Sequence, residues 1–164
     1  MIFKDTKKFV INLKKRPERL KHIKKEFEYV GWDNVDVFEG IELNNHIGCA
    51  KSHLEIIKIA ANENLENVIV FEDDILFMPY ANSLITDIEN ELQNIKFGSL
   101  NLNPSIHRPL NMFSGSKVLL DITNKPPKSE NHRGVFGTGF MVYNKSVYEK
   151  MFDYYDRIAI DEFL

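Results

Sequence analysis

Asn67-Val68-Ile69-Val70-Phe71-Glu72-Asp73-Asp74 joins a run of four apolar residues directly to three consecutive carboxylates. The segment from Asn67 to Phe71, rich in β-branched residues, reads as a strand buried on both faces. Three carboxylates at the end of such a strand are costly, because each loses hydration and repels its neighbours. A divalent cation offsets that cost, and hard oxygen ligands suit magnesium or manganese. Alternation along a strand sends Glu72 and Asp74 to the same side, so that a carboxylate–x–carboxylate pair faces one site. In open α/β sheets, ligands gather beyond the carboxyl ends of the strands, where this triplet falls. An ordinary acidic turn is the alternative, and the apolar residues on both sides of the triplet argue against it.

Working outward, Lys8 to Leu13 reads as an earlier buried strand. Pro17 then stands where the first turn of a helix accepts it. Leu20, Ile23, Phe27 and Val30 recur at helical spacing until Gly31. A short strand is expected at Val35 to Phe38. A second helix is expected from about Gly48 to Glu63, with Ala50, Leu54, Ile57 and Ala61 on one face. Strand, helix, strand, helix, strand is the grammar of an α/β sheet with parallel strands. Further on, a helix is expected at Pro79 to Asn94 and strands at Gly98 to Leu102, Lys117 to Ile122 and Phe136 to Tyr143. Thr123 to Gly134 reads as a mobile loop. A last helix, Lys145 to Ile158, would turn Val147, Met151, Tyr154 and Ile158 inward. One domain covering 1–164 accounts for all of this, without a linker or an internal repeat.

The composition fits that reading. With 43% hydrophobic and 12% aromatic residues the chain can fill a core, which argues against intrinsic disorder. A lone cysteine, Cys49, excludes an intrachain disulfide framework and any cysteine-built zinc cluster. No apolar run exceeds four residues, so no transmembrane segment is expected, nor a secretory signal, and a cytoplasmic location follows as an expectation. Of the 21 Lys and Arg residues, ten lie in residues 1–25 against two acids, which leaves 22 carboxylates and 11 basic groups in the remainder. The basic start is either a solvated face or a weak contact for phosphates or an anionic membrane surface. The acidic remainder argues against nucleic acid as a partner.

Two more segments carry chemistry. In Gly48-Cys49-Ala50-Lys51-Ser52-His53, small residues let a ligand approach a helix N-terminus, where free N–H groups favour a phosphate. Lys51, Ser52 and His53 could add donors to a diphosphate; a plain helix start packed on the sheet is the alternative. Arg16 and Arg19, three apart, would share a helix face and could hold a nucleotide by forked hydrogen bonds, or simply be solvated. Asp161 stands out among the remaining acids because Ile160 and Phe163 flank it.

These segments occur together, in one order, in a known family. Val10 to Arg19, Gly48 to His53 and Val68 to Asp74 resemble the family-25 glycosyltransferases, which include bacterial lipooligosaccharide and collagen β-galactosyltransferases. Gly137 to Tyr143 is similar to the family's later glycine-led strand, and Ile160 to Leu164 to its aspartate-containing segment. The resemblance implies a GT-A, Rossmann-like fold with a mixed, mostly parallel sheet. It further implies a UDP-sugar donor, Mn2+ or Mg2+, and transfer of a hexose with inversion, galactose or glucose, to a glycan or to a lipid-linked or protein-linked acceptor, as in lipopolysaccharide biosynthesis. Carried over residue by residue, Asp74 matches a direct metal ligand with Glu72 beside it. Asp73, Asn12, Arg16, Arg19, Gly48, Ser52 and His53 match nucleotide-sugar-binding positions.

Asp161 is the candidate catalytic base. Lys51, Phe140 and Ala159 depart from the residues usual in the family, and the chain stops at Leu164 where members usually continue. Two rivals follow. An inactive GT-A-like module that binds nucleotide sugar is favoured by the early stop and disfavoured by the intact acidic triplet. A nucleotidyltransferase would show a glycine-rich loop after the first strand, where Lys14-Lys15-Arg16-Pro17 has no glycine.

Overall fold

The computed structural model describes residues 2–43, 47–103 and 138–153, together with the backbone of four two-residue strands between 105 and 136. A single helical turn, α1 (Ile2–Asp5), precedes β1 (Lys7–Asn12), and Pro17 opens α2 (Pro17–Val30). Gly31 ends α2 in the left-handed region, φ 73°, and the Trp32 N–H returns to the Phe27 carbonyl at 2.8 Å, a helix stop that glycine favours. Then come β2 (Val35–Glu39), α3 (Ile47–Asn62), β3 (Asn67–Glu72), α4 (Ala81–Leu92) and β4 (Ser99–Asn101). The short strands β5 (Ser105–Ile106) and β8 (Val135–Phe136) pair with each other, as do β6 (Asn111–Met112) and β7 (Leu120–Asp121). Finally β9 (Phe140–Asn144) leads into a 3-10 turn, Lys145–Val147, and a helical turn over 148–153.

The principal sheet has the order β2-β1-β3-β9-β4. Both β2 and β3 run parallel to β1, β9 is antiparallel to β3, and β4 is antiparallel to β9. Four strands therefore share one direction, and the fold is α/β around a mixed, mostly parallel sheet. The carboxyl ends of β1 and β3 lie side by side in a register that pairs Ile11 with Glu72.

Alternation sorts the side chains into two cores. Val10, Ile69, Phe71, Phe140 and Val142 pack with Ile23 and Phe27 of α2 and Ile88 and Leu92 of α4. Phe9, Ile11, Val68, Val70, Met141 and Tyr143 pack on the other side with Ile56, Ile57 and Ala60 of α3. The α2 side is aromatic: Phe71 lies 4.6 Å from Phe140 and 5.0 Å from Phe27 between ring centroids.

The elements of the first half stand where the sequence puts them, to within two residues. The buried stripe of α3 differs: it runs through His53, Leu54, Ile56, Ile57 and Ala60, while Ala50 and Ala61 are only half-buried. Of the strand expected at Lys117 to Ile122, Leu120 and Asp121 are described, and they pair with Met112 and Asn111; the rest lies outside the described residues. In the last helix, Tyr148 is the buried residue, at 2% exposure, rather than Val147. Tyr154, Ile158 and the Thr123 to Gly134 segment lie outside the described residues. Among the described residues, no helix is long and apolar enough to cross a membrane.

The basic N-terminal stretch is no single patch. Lys8 is buried, its Nζ donating to the Lys4 and Thr6 carbonyls and lying 5.7 Å from the Trp32 ring centroid. Lys7 pairs with Glu63, Lys15 with Glu42 and Arg19 with Asp73 and Asp74.

Candidate functional site

The triplet divides because alternation stops before it is complete. Glu72 is the last residue of β3 and faces α3, as Val68 and Val70 do. Asp73 continues the opposite face, toward α2, and Asp73 and Asp74 form a turn. The expectation that Glu72 and Asp74 face one side is therefore corrected: Arg19 Nη1 donates to Asp73 Oδ1 at 3.0 Å and to Asp74 Oδ2 at 3.2 Å. Glu72 instead accepts from the Thr138 hydroxyl. The turn bends the chain one residue before the pattern would have returned Asp74 to the side of Glu72.

On the α2 side, Asn12 ends β1 and is 5% exposed. Its Nδ2 donates to Asp73 Oδ2 at 2.7 Å and to the Arg16 carbonyl at 3.0 Å. One amide thus ties β1, the loop after it and the acidic turn together. Asp73, 7% exposed, serves as the buried anchor, whereas the Asp74 side chain is 56% exposed. Arg16 occupies the N-cap position of α2, outside the helix proper, so it does not share a helix face with Arg19; it is exposed. The two carboxylates beside Arg19 raise the pKa of its guanidinium, the hydrogen bond it donates to Asp73 first.

On the α3 side, Gly48 lies against the chain's own backbone: a Cβ there would come within 2.3 Å of the Ile41 carbonyl oxygen. Ser52 is buried, and its hydroxyl donates to the Gly48 carbonyl and accepts from the Ile41 N–H, both at 2.8 Å. These two residues fasten the start of α3 to the segment after β2. His53, the seventh residue of α3, is 3% exposed. Its Nδ1 lies 3.1 Å from the Tyr143 hydroxyl, and its Nε2, without a hydrogen-bond partner among the described residues, lies 3.9 Å from Glu72 Oε1. Burial pushes His53 down to about 4, so the ring is neutral near pH 7.

Cys49 Sγ lies 3.7 Å from the Thr138 hydroxyl, and burial, reinforced by Glu72, pushes its thiol up to about 12. The Tyr143 phenol is also raised, by burial first.

The structure thus brings Asn12, Arg19, Asp73 and Asp74 together, and separately His53 with Glu72. Gly48, five residues before His53, and Ser52, directly before it, lie in the first turns of α3, and Asp161 lies outside the described residues. Cys49, Thr138 and Tyr143 join the second group without having been singled out in the sequence. The spacing of Cys49 and His53, four apart on a helix, and the alternation of Met141 and Tyr143 in β9 were the available signals.

Residues 44–162 match the family described as "Glycosyltransferase family 25 (LPS biosynthesis protein)". A similar curated protein is "Glycosyltransferase 25 family member" from Drosophila melanogaster, 28% identical over an alignment covering 52% of this chain and 19% of the relative. The chain therefore spans about a fifth of the length of that relative. The family match runs from just before α3, through the acidic turn and past β9, with Asn12, Arg16 and Arg19 lying before it; the chain belongs to glycosyltransferase family 25.

Proposed function

We propose that this chain transfers a hexose, galactose or glucose, from a UDP-sugar to a hydroxyl of a glycan, lipid-linked or protein-linked acceptor, with inversion, and that its sheet is the core of a GT-A fold. Family membership supports sugar transfer, and the observation that carries the donor assignment is the acidic turn at the carboxyl end of β3. Asp74 offers an exposed carboxylate there, a hard oxygen donor of the kind that suits Mn2+ or Mg2+, and Glu72 offers a half-buried one turned to the other side of the strand end. When bound, such an ion would supply positive charge to the diphosphate as the leaving group departs.

The chain's own residues do the rest. Asn12 and Arg19 hold the acidic turn against the end of β1, so the carboxylates are presented from a rigid edge. Arg16, exposed beside that edge, would meet the nucleotide. Asp161 takes the proton of the acceptor hydroxyl on the sugar face opposite the diphosphate, which gives inversion.

The test is a panel of nucleotide sugars with manganese, measuring released UDP, beside calorimetry of UDP with manganese and with EDTA. Manganese should tighten UDP binding, and Asp74→Asn should remove that gain with little effect on folding. Equal UDP affinity in manganese and in EDTA would sink the donor-site assignment. Manganese-dependent UDP binding without transfer to any acceptor would instead support the non-catalytic binding module.

A further inference from the structure

A cysteine, a histidine and a carboxylate converge on the α3 side of the sheet, away from Arg19. Cys49 Sγ, a ring nitrogen of His53 and a carboxylate oxygen of Glu72 all lie within 4.8 Å of one another. Cys49 and His53 are one helical turn apart on α3, and Glu72 comes from the end of β3. The independent observation is His53 itself. It is 3% exposed, and its Nε2, the atom turned toward Glu72, has no hydrogen-bond partner among the described residues. A buried ring nitrogen left this way has lost its water without gaining anything, and asks for a ligand.

We propose that Cys49, His53 and Glu72 form a three-ligand site for a borderline-soft divalent ion, Zn2+ foremost. A thiolate, an imidazole and a carboxylate are zinc's donor set, whereas Mg2+ and Mn2+ prefer oxygen alone. Three protein ligands leave a fourth position for water.

On binding, a metal–sulfur bond forms, the Cys49 S–H bond breaks, and the proton passes to solvent. Neutral His53 gives its Nε2 lone pair, with the ring proton on Nδ1 facing the Tyr143 oxygen at 3.1 Å. Thiolate and carboxylate together balance the charge of the ion, so a buried neutral unit results. A supporting shell is already present: Tyr143 orients the ring, and the Thr138 hydroxyl contacts both Cys49 Sγ and Glu72 Oε1. The inference stands apart from the transferase reading. Glu72 is common to both arrangements, but Cys49 serves this one alone.

Cobalt titration of the full chain decides the matter, because Cys49 is the sole cysteine and a sulfur-to-cobalt charge-transfer band can only be its own. One saturable band per chain, displaced by Zn2+, is expected. Cys49→Ser should abolish it, Tyr143→Phe should weaken Zn2+ binding by about 10–100-fold, and Asp74→Asn should leave it unchanged. No charge-transfer band in the wild type, or loss of binding in Asp74→Asn, overturns the inference. Should Cys49→Ser fail to fold, Glu72→Gln takes its place, and undiminished zinc affinity in that variant overturns it equally. A cobalt band in a chain whose UDP affinity ignores manganese would support this site and refute only the donor reading.

Discussion

Asn12→Ala should destabilise the domain by about 2–4 kcal/mol, whereas Arg19→Ala should cost only about 0.2–1 kcal/mol. The two residues hold the same carboxylate, and the difference lies in burial. Asn12 Nδ2 donates to Asp73 at 2.7 Å in a buried setting, a hydrogen bond to a charged group of about 1.5–3 kcal/mol. Its second bond, to the Arg16 carbonyl at 3.0 Å, adds about 0.5–1.5 kcal/mol. Removing both leaves Asp73, 7% exposed, without its buried amide donor. Arg19 is 40% exposed in its side chain, so water screens its pairs with Asp73 and Asp74 and replaces them when it is lost.

Urea unfolding with matched slopes measures both variants. At about 2–4 °C per kcal/mol for a chain of this size, Asn12→Ala should lower Tm by about 4–16 °C. Asn12→Asp should be worse still, because it sets a second carboxylate against Asp73. If Arg19→Ala costs as much as Asn12→Ala, Asp73 is held by charge at the surface, and the reasoning is refuted.

Because burial depresses His53 from 6.5 to about 4, the unfolded chain binds the extra proton first as pH falls. Stability from this group is complete above about 6.5 and lost progressively toward 4, on the order of 3 kcal/mol in all; thermal melts at pH 7 and 4.5 should show a smaller loss in His53→Gln than in the wild type, and parallel losses would sink the claim. Gly48→Ala forces a Cβ to 2.3 Å from the Ile41 carbonyl oxygen and should cost about 1–3 kcal/mol, so an unchanged melting curve would show that the segment after β2 yields freely. Asp161→Asn should slow transfer by about 10²–10⁴-fold while UDP affinity holds, the signature of a lost general base. Steady-state rates beside calorimetry check this, and an equally active variant would place the base elsewhere.

The elements of the first half were legible in the residues because each has its own local cause. Pro17 and Gly31 bound α2, the stripe Leu20, Ile23, Phe27 and Val30 fixes its face, and the apolar runs of β1 and β3 mark strands covered on both sides. The second half was less legible: two-residue strands such as Leu120–Asp121 carry too little periodicity to be bounded, since pairing partners far along the chain define them. The family, too, was readable from three motifs in order, and the match over residues 44–162 bears it out.

What the sequence offered by itself was a set of candidate side chains: Arg19, His53 and the acidic triplet from the residues, and Asn12 through the resemblance, placed by strands and helices whose periods and caps are local properties. Which of them meet was decided only by the tertiary structure. Glu72 and Asp74 are two apart, and strand alternation would join them, yet the turn at Asp73 and Asp74 gives one to Arg19 and the other to Thr138. Cys49 lies 89 residues from Thr138 along the chain and meets it through the antiparallel placement of β9 beside β3. A side chain's direction follows from the backbone of its own few residues, but its neighbours follow from strand order and from where a strand ends. Those are properties of the whole sheet, which no local stretch of the chain contains.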